Sequence, residues 1–148
     1  MSAMYARKFV ALVAITIAIT AAVVILHELG HFAIATSEGC QAKITLLDAD
    51  MQTYTTVACR PTQAIELGGL LFTVPFGVLL LAFGRKYSMI ALGFNLAVSW
   101  SDFALISTSA AYALAAAGLL MIIFGENMIV NSLIPIDAPR AAEIASSD

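Results

Sequence analysis

Charge is scarce in this chain. Asp, Glu, Lys and Arg make up 11% of it against 61% hydrophobic residues, and the mean hydropathy is +0.93. A soluble domain carries about 25% charged residues, so this composition excludes one and points to a chain solvated largely by lipid. The little charge there is leans acidic, with 7 Lys+Arg against 10 Asp+Glu, a net charge of −3 and a sequence pI near 5.2. No basic surface is available, which argues against nucleic acid as a partner. Cysteine is limited to Cys40 and Cys59, too few for a disulfide scaffold and without zinc-finger spacing. Internal repeats and low-complexity tracts are lacking. Histidine is rarer than any other titratable type except cysteine: the chain has two.

What is present gains weight from that scarcity. Both histidines fall in one stretch, His27-Glu28-Leu29-Gly30-His31, at the end of an apolar run from Phe9 to Leu26. Scattering two His and five Glu at random would give this H-E-x-x-H arrangement in roughly one shuffle in two thousand. On a helix, residues four apart lie on one face, so both imidazoles can reach a single metal ion. Neutral imidazole is a good zinc ligand. Glu28 follows the first histidine, where a carboxylate can take a proton from water activated by the metal. The bland alternative is a histidine pair satisfied inside a helix bundle. It loses ground because ionisable groups at membrane depth are costly and usually functional.

The rest of the chain divides into apolar segments. We expect an all-α polytopic membrane protein in one domain over residues 1–148, with four transmembrane helices at about 9–37, 65–83, 87–108 and 110–130. Arg7 and Lys8 ahead of the first run resemble a signal peptide. That run is long enough to span a bilayer and continues into the motif, so we read it as a retained membrane segment. Gly39 fits a helix stop. Residues 41–59 read as a small β-hairpin: Lys43 to Leu47 and Thr53 to Ala58 are rich in Thr, Ile, Tyr and Val, with turn chemistry at Asp48-Ala49-Asp50. With Ala49-Asp50 as a two-residue loop, Cys40 faces Cys59. They pair if the hairpin meets an oxidising compartment and stay free thiols otherwise. An open hairpin edge beside the motif could hold an extended peptide by strand addition; the bland alternative is a plain connector.

Asn95, Ser99, Asp102 and Ser109 share one helical stripe of the third segment. Asp102 lies well inside apolar sequence and needs a partner, of which a metal ion is the best on offer. The alternative is a neutral Asp bonded to Ser and Asn. Arg7-Lys8, Arg85-Lys86 and Arg140 fall on one side of a four-span chain, so the positive-inside rule makes that side cytoplasmic and the hairpin side external. In that arrangement Asp102 shares the depth of His27 and His31, whereas Asp137 emerges on the opposite side. Asp102 is therefore the favoured third ligand and Asp137 the alternative.

His27-Glu-Leu-Gly-His31-Phe, followed by a short strand-rich insert and further membrane helices, resembles the site-2 protease group of intramembrane zinc metalloproteases. The resemblance covers roughly residues 20 to 110. It implies a three-helix catalytic core whose first helix carries H-E-x-x-H and whose third contributes an Asp, a membrane-embedded Zn2+, and a transmembrane protein as substrate. Carried over by residue, it makes His27 and His31 ligands, Glu28 the general base on a zinc-bound water, and the hairpin a substrate-binding element. The family's third-ligand motif resembles N-x-x-P-x-x-x-x-D-G. Asn131…Pro135…Asp137 keeps its residue types at shorter spacing with Ala138 for Gly. Asn95…Asp102 keeps nearly the Asn–Asp spacing without Pro or Gly. Asn95 is a further expectation, as an oxyanion or substrate donor. The competing reading is a non-catalytic metal-binding membrane scaffold or transport subunit built on the same ligands. Sequence leaves the oligomeric state open.

Overall fold

The computed structural model describes residues 3–50 and 52–133. Among them the chain forms α1 (Ala3–Ser37), a hairpin of β1 (Ala42–Thr45) and β2 (Tyr54–Val57), then α2 (Gln63–Glu66), α3 (Gly68–Leu79), α4 (Arg85–Val98), α5 (Trp100–Ile106) and α6 (Thr108–Leu133). A single 3-10 turn, Leu80–Ala82, closes α3.

Three of the described helical stretches are long and apolar enough to cross a membrane: Ala6–Ser37, Gln63–Ala82 and Thr108–Ser132. Their apolar side chains point outward along most of their length. Phe9, Ile17, Leu79 and Phe124 are all more than half exposed, an exterior that suits hydrocarbon rather than water. The inward face is narrow. Ile19 and Val23 of α1, Ile90 and Ala91 of α4 and Ile129 of α6 form the core, flanked by Phe76 and Leu80. Helix α4 is thus central, between α1 and α3 on one side and α6 on the other.

Small residues set those crossings, as expected where lipid gives no hydrophobic drive between helices. Between α1 and α3, a Cβ on Gly30 would lie 2.1 Å from the Gly68 carbonyl oxygen, and one on Gly68 would lie 2.8 Å from that of Gly30. Between α4 and α6, Gly93 and Gly118 meet in the same way, at 2.6 and 2.5 Å. Backbone thus packs on backbone at both crossings.

The expected four spans are corrected at the third. Residues 87–108 are not one helix: α4 ends at Val98, Ser99 interrupts the regular geometry, and α5 runs only from Trp100 to Ile106. Helical bonds still cross the break, from Ser99 N–H to the Asn95 carbonyl and from Phe103 N–H to the Ser99 carbonyl. The second span is interrupted as well, at Leu67 between α2 and α3. Both interruptions lie beside the histidines.

Helix α1 ends as expected at Gly39, which adopts φ +80° while Cys40 N–H bonds back to the Ala35 carbonyl, the Schellman closure that favours glycine. The hairpin register pairs Ala42 with Val57 and Thr45 with Tyr54. That is the register a turn centred on Ala49-Asp50 imposes. The two-residue loop itself is corrected, because pairing stops at Thr45 and Tyr54 and a wider loop joins the strands. Asp48 organises that loop by accepting from the Asp50 and Gln52 amides at 3.0 and 2.9 Å, so local side-chain bonds displace ladder bonds.

At the open end of the hairpin Cys40 and Cys59 form a disulfide across a sequence separation of 19. Closing a loop of that length is worth about 3 kcal/mol in the chain-entropy account. Cys40→Ser/Cys59→Ser is therefore expected to make the hairpin cleavable by added protease at concentrations that leave the parent chain intact. Equal protection of both proteins would show that the hairpin does not depend on the bond.

Candidate metal centre

The site lies on α1 at the hairpin end. His27 and His31 are one helical turn apart, and their ring centroids are 4.7 Å apart in an edge-to-face arrangement. The regular helix is interrupted at Ser99, and the first turn of α5 beyond it carries Asp102, which meets the histidines. Asp102 Oδ2 lies 3.1 Å from His27 Nε2 and 3.4 Å from His31 Nε2, and the two Nε2 atoms are 3.1 Å apart. Three ligand-type atoms therefore form a nearly equilateral triangle. A tetrahedral ion with bonds of about 2.0–2.1 Å holds its ligand atoms about 3.3–3.4 Å from one another. The observed edges match three corners of that tetrahedron.

The chemistry of the donor set gives an independent test of fit. His31 Nδ1 lies 2.6 Å from the Ile65 carbonyl oxygen. A carbonyl only accepts, so Nδ1 carries a proton, and Nε2 is the ring atom that faces Asp102 and His27. That carbonyl comes from α2, just before the interruption at Leu67. His27 Nδ1 has Ser99 Oγ at 3.5 Å. Asp102 Oδ2 is buried with no hydrogen-bond donor. Three ligand-type atoms at such separations are stabilised by a positive charge among them, whether a proton on an imidazole or a metal ion. A divalent ion fits this cluster, and outer partners on both Nδ1 atoms are the usual means of fixing the tautomer of ligating histidines.

The other expected residues are placed as follows. Glu28 is buried beside the ligands, and its Oε2 accepts from Thr55 Oγ1 of β2 at 2.7 Å. Asn95 is buried between α3 and α4, where Thr73 Oγ1 donates to its Oδ1. Its Nδ2 has no partner, and it is not part of the cavity wall described below. Buried position thus separates Asn95 from a substrate that enters that cavity, and a role as oxyanion donor is not carried forward. Asp137 lies outside the described residues. Thr20, on the stripe with the histidines, bonds its own helix at the Thr16 carbonyl, 2.9 Å away. Among the described residues, His27, His31 and Asp102 are the group of three that could hold a metal ion.

Several contributors carry no signal in the sequence. Thr55 and the Ile65 carbonyl act through position alone, and Gly69 through absence; Ser99 is marked only by its place on the polar stripe with Asn95 and Asp102. A Cβ on Gly69 would lie 2.3 Å from His27 Cε1 and 2.6 Å from its Nε2. Gly69→Ala is therefore expected to push the ring out of the triangle and weaken metal binding by roughly 10–100-fold, the scale seen when the support of a ligand is lost. Zinc titration of the solubilised variant checks this, and unchanged affinity would mean that the ring has room to move.

A cavity of about 920 Å³ opens on the triangle. His27, Glu28, His31 and Asp102 form its polar floor. Val24, Ile25, Leu46, Leu47 and Val57 supply apolar wall, and β2 borders it through Tyr54 and Thr55. Comparison of the chain with protein-family models, curated proteins and solved structures gives no match.

Proposed function

We propose that the protein is a multi-pass membrane zinc metalloprotease, similar in plan to the site-2 proteases, that hydrolyses peptide bonds of membrane-spanning substrates. The convergence of His27 Nε2, His31 Nε2 and Asp102 Oδ2 within about 3.4 Å of one another carries the reading, because two imidazoles and a carboxylate at that spacing offer three ligand atoms to one metal ion. Zinc, when bound by those three residues, supplies Lewis-acid polarisation of a substrate carbonyl and of water.

The chain's own groups do the rest. Glu28 borders the same cavity and accepts the proton of the attacking water, then returns it to the leaving amine nitrogen. The apolar wall receives the side chains of a membrane-derived segment and keeps bulk water from the floor. Strand β2, at the cavity edge, is placed to hold that segment extended, which a helical peptide requires before its carbonyl can be reached. The disulfide and the basic residues support one orientation. Lys86 of α4 bonds Ser132 of α6 at 3.1 Å, so Arg85-Lys86 sits at the end of the bundle opposite the hairpin, and Leu12, close to Arg7-Lys8, packs toward the same end. The positive-inside rule then assigns that end to the cytoplasm and the site to the external, oxidising face, where a disulfide persists.

The test is cleavage of a single-span substrate by purified protein in lipid. We expect cleavage that a zinc chelator abolishes and added zinc restores. Stoichiometric metal without any cleavage would favour a metal-binding scaffold instead.

A further inference from the structure

The hairpin reaches the floor of the site through one hydroxyl. Thr55 Oγ1 lies 2.7 Å from Glu28 Oε2 and 3.1 Å from the Glu28 backbone oxygen. One proton serves two acceptors, and the charged oxygen at the shorter distance is the stronger. Among the described residues, the Glu28 carboxylate has no other hydrogen-bond partner. Its second oxygen, Oε1, is not among the buried polar atoms without partners, and Glu28 borders the cavity. One oxygen is tethered and the other is left for water.

We propose that Thr55 is a positioning residue that orients the Glu28 carboxylate, which makes the hairpin part of the catalytic apparatus as well as a border of the cavity. This rests on the role assigned to Glu28 above. The strand is suited to the task. Thr55 pairs with Ile44 in the ladder. Alternation along β2 turns its side chain to α1 while Tyr54 faces out, 39% exposed. The β-branched side chain is stiff about χ1, so little freedom is lost when the hydroxyl is fixed. The Cys40–Cys59 bond holds the open end of the same hairpin. Thr62, just beyond it, donates to Glu38 at the end of α1, 3.0 Å away. Both ties hold the open end of the hairpin beside the end of α1.

Thr55→Val keeps shape and strand preference and removes only the hydroxyl; Thr55→Ser keeps the hydroxyl. The full chain in lipid is assayed for cleavage and zinc content, with Glu28→Gln beside it. Thr55→Val should keep its zinc and lose roughly 10–100-fold in kcat with KM changed less than about threefold, the scale of a misoriented proton acceptor. Thr55→Ser should recover most of the rate. The infrared carboxylate band that Glu28→Gln removes should shift in Thr55→Val and return in Thr55→Ser, a signature that does not depend on turnover. Wild-type kcat in Thr55→Val with Glu28→Gln inactive would overturn the positioning role alone. So would an unmoved band, or a loss confined to KM. Full activity in Glu28→Gln would overturn the proposed function and the positioning role together.

Discussion

Glu28→Gln is expected to retain zinc at the parent stoichiometry and to lose cleavage by at least about a thousandfold, toward the upper end of what a general base contributes. The expectation follows from how the roles are divided. The metal-facing atoms belong to His27, His31 and Asp102, while Glu28 is held separately by Thr55. The amide is nearly isosteric and can still accept the Thr55 hydroxyl through its oxygen, so the local packing survives. What it lacks is the ability to take a proton from water. Measuring metal content and kcat on the same preparation separates chemistry from assembly. A variant that cleaves at the parent rate would remove Glu28 from the mechanism. A variant that loses its metal would show that the carboxylate supports the centre itself.

Asp102→Ala is expected to reduce zinc affinity by at least about a hundredfold and to abolish cleavage with it, whereas Asp137→Ala leaves both intact. The carboxylate is one of three ligand atoms and the only anionic one. Removing it leaves two imidazoles, a set short of the three protein ligands usual in catalytic zinc sites. Without metal the same variant loses the contacts of Asp102 with His27 and His31, so the apo protein should be modestly destabilised. Zinc titration with thermal unfolding in the presence of chelator reads both effects. The reverse pattern, with Asp137→Ala losing metal and Asp102→Ala keeping it, would displace Asp102 from the centre.

The glycines explain why the site is assembled where it is. Gly30 stands inside the motif, between Glu28 and His31, and brings α1 against Gly68 of α3 at backbone distance. Gly69 then leaves the space that the His27 ring fills. The motif therefore sets two things at once: the ligands, and the close crossing that brings the Ile65 carbonyl within 2.6 Å of His31. A larger residue at either position would separate the ligand helix from the helix that orients it.

The sequence alone determined the local features, because their causes are local. Four-residue spacing puts His27 and His31 on one helical face whatever surrounds them. Long apolar runs leave few alternatives to membrane-length helices. Gly39 ends α1 by its backbone freedom, and a period of two along the strands, with the turn residues, fixed the register that brings Cys40 to Cys59. The depth argument for Asp102 also rested on nothing more than counting along segments.

Tertiary structure decided what depends on contacts between distant parts of the chain. Hydropathy does not register the interruption at Ser99, since serine is compatible with a continuous helix; in the fold Ser99 Oγ lies 3.5 Å from His27 Nδ1, and Asp102 follows in the first turn of α5. Nor could composition distinguish Asn95, buried against Thr73, from a residue open to substrate. Thr55 is one of several threonines in a strand. Only the docking of the hairpin on α1 singles it out, because a hydrogen bond between residues 27 apart in sequence is specified by the fold and by nothing in its immediate neighbourhood.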